Sequence, residues 1–178
     1  MQSILRLLRG SFARFLLGAG LALALAGPAA VQAQAGDLKR QIVGAWTLAE
    51  VVLEQGGKRL EPFGPDPRGF MSYDADGNFV YVLLRGDLPK IASNNRTTPT
   101  PEESMTLIKG LLAAYGTYDF NSPDGSMTSR ITAGSFPNWN GTEQKRIITI
   151  NGDELRVINP TPPSGGGTAY LVWKRLKK

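Results

Sequence analysis

The chain has 178 residues, with 20 Lys and Arg against 15 Asp and Glu, 42% hydrophobic residues, no cysteine and no histidine. That is the length of one ordinary domain. Without cysteine it holds no disulfide, and without histidine it has no Ser-His-Asp apparatus and no imidazole-ligated zinc or iron, so any acid–base chemistry falls to carboxylates, tyrosines, lysines or arginines.

Arg6, Arg9 and Arg14 form a basic opening, followed by an uncharged apolar run over residues 15–26 and a Gly27-Pro28 break. Val31-Gln32-Ala33 and Ala33-Gln34-Ala35 then supply the small residues an export peptidase needs. The run is too short to span a bilayer comfortably, and no cysteine follows it to accept a lipid. The expectation is a secretory leader over residues 1–33, cleaved after 33 or 35. A periplasmic or secreted domain over residues 37–178 would follow, with no stable membrane insertion. Removing the leader takes away three of the 20 basic residues and none of the 15 acidic ones, leaving a net charge of +2. Four of the remaining cations are Lys174, Arg175, Lys177 and Lys178 at the chain end, and no basic stripe runs through the rest, so nucleic acid is not an expected partner.

Beyond the leader the chain reads as strands. Apolar runs that are continuous or of period two cover residues 42–53, 69–73, 78–85, 116–120, 126–132, 143–150, 154–158 and 169–175. Gly56-Gly57, Asp76-Gly77-Asn78, Pro123-Asp124-Gly125 and Asn151-Gly152-Asp153 punctuate them, the last two as tight hairpin connections. The Asp74-Ala75-Asp76-Gly77-Asn78 stretch has the look of a calcium loop but lacks the remaining ligand spacing, and reads as a hairpin turn. One helix interrupts the series. Thr100-Pro101-Glu102-Glu103 supplies an N-cap, a proline at the first helical position and acids in the first turn. Met105, Ile108, Leu111 and Leu112 then recur at helical spacing up to Gly116, an apolar stripe expected to dock on the barrel wall or across its open end. The fold class is therefore all-β: an antiparallel up-and-down barrel of about eight strands with one short helix. A barrel of that size is filled by its own side chains or holds one small ligand.

The stretch from Ser135 to Arg146 concentrates turn formers, aromatics, amides and cations ahead of a strongly alternating strand, which reads as a pocket rim or lid. The candidate ligand contacts are Trp46, Glu50, Tyr81, Tyr118, Arg130, Asn138, Trp139 and Arg146. Trp46 lies in phase with Leu48 and Glu50, so Glu50 points inward with it unless a bulge intervenes, and Arg85 or Arg130 would then be its partner. Tyr73, Tyr81, Tyr115, Tyr118 and Tyr170 would line a cavity with apolar bodies and hydroxyl handles, or else fill the core or stand outside. Arg130 and Arg146 would engage a carboxylate or phosphate, or pair across strands on the surface. For Asn138 a structural turn is the simpler role.

Gly44-Ala45-Trp46 at the head of the first strand resembles the Gly-x-Trp signature of lipocalins and related calycins, in which the tryptophan closes one barrel end beneath a cation from the last strand. Arg175 or Lys174 would supply that cation here. The chain more specifically resembles the bacterial and fungal lipocalin-like domain family from Ile42 to Arg175. The resemblance rests on Pro65-Asp66-Pro67-x-Gly69-Phe70-x-x-Tyr73 with Asp76-Gly77, and on Ala92-Ser93 before Thr100-Pro101-Glu102-Glu103. It continues through Tyr115-Gly116-Thr117-Tyr118, Pro137-Asn138-Trp139-x-Gly141-Thr142-x-Gln144-x-Arg146 and Leu171-Val172-Trp173-x-Arg175. It implies a small calycin-type barrel with a central cavity. Many relatives carry histidine on the strand before the Pro-Asn-Trp turn; Ser129-Arg130 stand there in this chain, so no histidine-dependent role carries over. Three functions are compatible with these residues: binding of a small apolar or amphipathic molecule, cofactor-free isomerase or cyclase chemistry through Glu50, Asp119 or a tyrosine, or a filled barrel with an interaction role. No cofactor or metal is called for, and oligomeric state is not encoded in any visible pattern.

Overall fold

The computed structural model describes residues 28–122 and 124–177. The basic and apolar parts of the expected leader lie outside the described residues. Helix α1 (Pro28–Ile42) runs straight through both expected cleavage points into strand β1 (Gly44–Gln55). There follow β2 (Lys58–Leu60), β3 (Arg68–Tyr73), β4 (Asn78–Leu84), helix α2 (Pro101–Gly110), β5 (Leu111–Asp119) and β6 (Met127–Gly134). A single 3-10 turn (Pro137–Trp139), β7 (Glu143–Asn151), β8 (Glu154–Asn159) and β9 (Thr168–Arg175) complete the chain. Among the described residues no helix is long and apolar enough to cross a membrane.

All strand pairings are antiparallel, and β1 closes the sheet by pairing with β9 as well as with β3. Eight strands thus form a closed up-and-down barrel, as the alternating runs foretold. The ninth, β2, is an extra hairpin partner for the far end of β1, where Leu53, Glu54 and Gln55 have run past β3. Its three residues are all exposed, so it carries no hydrophobic alternation by which sequence reading finds strands.

Three local features depart from the expected pattern, each for a physical reason. Helix α2 begins as foreseen, with a capping box in which the Glu103 amide donates to Thr100 Oγ1 and the Thr100 amide to Glu103 Oε2. It stops at Gly110, six residues before Gly116, because Leu111–Tyr115 continue the ladder against β4. Helical spacing at Leu111 and Leu112 is overridden by strand pairing, a tertiary choice that propensity cannot see. The stripe consequently does not dock along its length: Met105 and Ile108 are exposed. The connection from β5 to β6 is not a tight hairpin, since the ladder ends at Asp119–Thr128 and Phe120 tucks into the core. The β7–β8 turn is tight, with Asn151 paired to Glu154 across Gly152 at φ 58°.

The two barrel ends differ in construction. At the closed end Trp46 is fully buried, donates from Nε1 to the Ile42 carbonyl at 2.9 Å, and lies under the Arg175 guanidinium, 4.1 Å from its ring centroid. Arg175 Nη1 donates to the Val43 carbonyl and Nη2 to the Gln41 carbonyl, the kind of orphan acceptor a helix leaves at its C-terminus. Lys174 instead points outward and pairs with Glu154, so the resemblance-based role belongs to Arg175. Ile42 and Leu38 of α1 complete the plug. Above it Tyr73 meets Tyr118 edge-on at 4.9 Å, and Tyr118 meets Phe120 in the same manner, which fills the lower barrel.

Candidate functional site: a cavity open at one end

The other end is not filled. The strand ends there are linked by loops that carry Pro62-Phe63, Ser135-Phe136 and Pro162-Pro163-Ser164, and with Ile108 and Lys109 of α2 these surround a mouth of about 300 Å³. Below it an inner pocket of about 60 Å³ reaches down between the strands. Leu83, Leu112, Asn159 and Leu171 line both, so the two adjoin. A space of that inner size admits a few waters or one ligand head group, and the mouth alone reaches the lower range of small-molecule pockets.

Period-two alternation decides what enters. On β7, Gln144, Arg146 and Ile148 point inward and Glu143, Lys145 and Ile147 outward. Arg146, 7% exposed, therefore carries a guanidinium into the inner pocket, 5.7 Å from the Trp139 ring centroid. The Pro137–Trp139 turn places Trp139, itself buried and edge-on to Phe136 at 5.6 Å, on the same pocket wall. On β4, Phe79, Tyr81 and Leu83 face in; Phe79 and Tyr81 stack at 6.0 Å. Tyr73, Ser129 and Trp173 complete the polar part of the lining.

The electrostatics of this pocket are unusual. Among the described residues Arg146 has no carboxylate partner; one nitrogen, Nη1, donates to the Lys145 carbonyl at 2.7 Å. Burial pulls its pKa below the ordinary guanidinium value, and the neighbouring Tyr81 and Tyr73 phenols only partly oppose that. Burial likewise pushes the Tyr81 phenol up to about 12, and raises Tyr73 further, while the Arg146 charge draws both back down. The indole Nε1 of Trp173, sealed from solvent, has no acceptor among the described residues.

Of the candidate contacts, the structure brings Tyr81, Trp139 and Arg146 together around one pocket and places the other five elsewhere. Trp46 belongs to the closed end. Glu50 is turned outward by a bulge between Leu48 and Glu50 in the β1–β9 register, and pairs on the surface with Arg59 at 2.6 Å. The same bulge points Val51 and Leu53 into the mouth. Arg85, one of the partners considered for Glu50, instead pairs with Asp87. Tyr118 is buried in the lower core, donating to the Asp74 carbonyl at 2.7 Å. Arg130 alternates outward from Ser129 and pairs with Glu143 at 2.7 Å. Asn138 is exposed on the turn. Of the tyrosine set, Tyr73 and Tyr81 line the pocket while Tyr115 and Tyr170 stand on the outer surface. Ser129, Asn159 and Trp173 were not foreseen as lining residues. The alternation of Met127, Ser129 and Ile131 carries the signal for the first, and that of Leu155, Val157 and Asn159 for the second.

A closed eight-stranded antiparallel barrel with one plugged and one open end, and a Gly-x-Trp strand stacked under an arginine of the last strand, defines a calycin-type binding scaffold. The chain belongs to the lipocalin-like domain family, whose model matches residues 43–176. Among curated relatives, the 4'-hydroxy-3'-methoxypropiophenone carrier protein ppsC of Aspergillus oryzae is 30% identical over 107 residues, covering 54% of this chain and 95% of that protein.

Proposed function

We propose that this chain is an exported lipocalin-like barrel that binds a small, largely apolar molecule, with the ligand body in the mouth and its polar end in the inner pocket. The observation that carries this reading is the pair of adjoining spaces, apolar where Val51, Leu53, Phe63 and Leu171 surround the mouth and polar where Arg146, Tyr73 and Tyr81 line the inner pocket. The relative is named as a carrier of an aryl ketone bearing a phenol, a molecule of the same mixed apolar and polar character. Burial of a drug-sized ligand in such a space is worth several kcal/mol after ordering costs, about micromolar affinity. The catalytic alternative draws no support from the carboxylates considered for it. Glu50 is on the outer wall with Arg59, and Asp119 accepts from Asn121 outside the cavity.

Mass spectrometry on protein isolated gently from its native envelope, under native and then denaturing conditions, tests the reading. A reproducible extra mass lost on denaturation is the expected result and gives the ligand's chemical class. A bare protein mass, with no uptake of apolar probes by the purified protein, overturns it. Export is tested on the same sample: N-terminal sequencing should begin after Ala33 or Ala35, and an intact leader would refute it.

A further inference from the structure

Among the described residues, the one charged group on the inner pocket and the amide beside it are hydrogen-bond donors or have an acceptor already in use, while the Ser129, Tyr73 and Tyr81 hydroxyls can turn to donate. Arg146 brings five N–H donors on a planar fork, and one nitrogen has a protein acceptor among the described residues. Tyr73 and Tyr81 add hydroxyls to the same lining, and Trp173 Nε1 is a sealed donor without an acceptor among the described residues. Asn159 Oδ1 is occupied by the Thr161 amide. Among the described residues no carboxylate stands on the pocket wall. A guanidinium taken out of water without a counter-ion is costly, and proteins ordinarily pair it or expose it. Exposure was one register step away, since the neighbouring Lys145 on β7 faces solvent.

We propose that the ligand is an amphipathic organic anion, bearing a carboxylate or an acidic phenol or enol, which enters oxyanion first and pairs with Arg146 while its apolar body fills the mouth. The proposal rests on the reading of the cavity as the binding site. The missing counter-ion is then the ligand itself. The planar two-oxygen head of a carboxylate matches the fork of the guanidinium, a phenolate or enolate oxygen takes one arm of it, and the Tyr73 and Tyr81 hydroxyls supply further donors. The geometry also sets the order of the lining, with donors at the base and apolar side chains above, so that a neutral molecule of the same shape leaves Arg146 buried and unpaired.

The experiment uses two matched pairs of probes, phenylbutyrate against phenylbutanol and decanoate against decanol, titrated calorimetrically into the purified protein. The expected result is at least tenfold tighter binding of the carboxylate in one or both pairs. Arg146→Met should abolish that preference, the carboxylate weakening at least tenfold while the alcohol, relieved of an unpaired buried charge, binds no more weakly than before. Which pair shows the larger preference distinguishes an aromatic from an aliphatic body. Carboxylate and alcohol bound equally by the unaltered protein would overturn the anion while leaving the cavity reading intact. No binding of any of the four would overturn both. If Arg146→Met does not fold, Arg146→Lys replaces it; it should keep a reduced carboxylate preference, and an undiminished one would show that the fork is not the recognition element.

Discussion

Replacing Arg175 with alanine tests how the barrel is closed. The perturbation removes a guanidinium 4.1 Å from the centroid of the fully buried Trp46 ring, together with donors to the Gln41 and Val43 carbonyls at 2.7 and 3.1 Å. A desolvated cation over indole is worth about 2 kcal/mol, and each hydrogen bond from a charged donor about 1.5–3 kcal/mol. The 3.8 Å approach of Arg175 to Asp153 is an exposed pair and adds nothing measurable. These figures do not simply add. The Arg175 side chain keeps 28% of its surface exposed, so water can reach and satisfy at least one of the freed carbonyls. The expected loss is therefore about 3 kcal/mol, a large part of the roughly 5–15 kcal/mol a domain commands. Urea unfolding followed by tryptophan fluorescence and far-ultraviolet dichroism should show the midpoint falling by about 1–3 M at unchanged slope. Arg175→Lys should recover little of it, because one ammonium cannot stack and reach two carbonyls together. A loss below about 1 kcal/mol, or full recovery by lysine, would refute this account. Ligand affinity, measured well below the transition, should stay within about twofold, since the cavity opens at the opposite end.

Two further outcomes are expected. Tyr81 titrates near 12 in the folded state against an ordinary phenol near 10, so the fold favours the neutral form; that stability is fully present below about pH 10 and lost as pH rises toward 12, at about 1.4 kcal/mol per pH unit for each such phenol. Tyr81→Phe should flatten the alkaline limb of a stability-versus-pH profile, and an unchanged limb would show that Tyr81 does not report burial. Gly116 lies at a register shift in the β5–β6 ladder, where an added Cβ would come within 1.9 Å of the Arg130 carbonyl oxygen; Gly116→Ala should cost at least about 2 kcal/mol in thermal or chemical unfolding, through forced backbone displacement, and wild-type stability would show that the strands part without penalty.

How legible all this was depended on whether the information was local. The eight barrel strands are legible because alternation marks a half-buried wall, and the capping box of α2 is legible because it spans four residues. The end of α2 is not, since Leu111 and Leu112 satisfy a helical stripe and a strand equally well until β4 is beside them. Glu50 shows the same limit more sharply. Its in-phase spacing from Trp46 is correct arithmetic, but one bulge reverses every assignment beyond Leu48. Arg146 was recoverable from its alternation with Gln144 and Ile148. The absence of a counter-ion around it was not, because that is a property of seven other strands. Arg130, one face out of phase with Ser129, shows that a cation near the right loop is not thereby in the pocket.

The mouth is assembled from segments that belong to different hairpins, and none of them takes part in the Trp46–Arg175 closure. Insertions or exchanges at residues 62–63, 135–136 or 162–164 would reshape the aperture without disturbing the ladder that defines the barrel. Such a molecule can change its aperture without changing its frame, so two chains alike along their strands need not open alike. The length and chemistry of those rim segments are therefore the better guide to what each barrel admits.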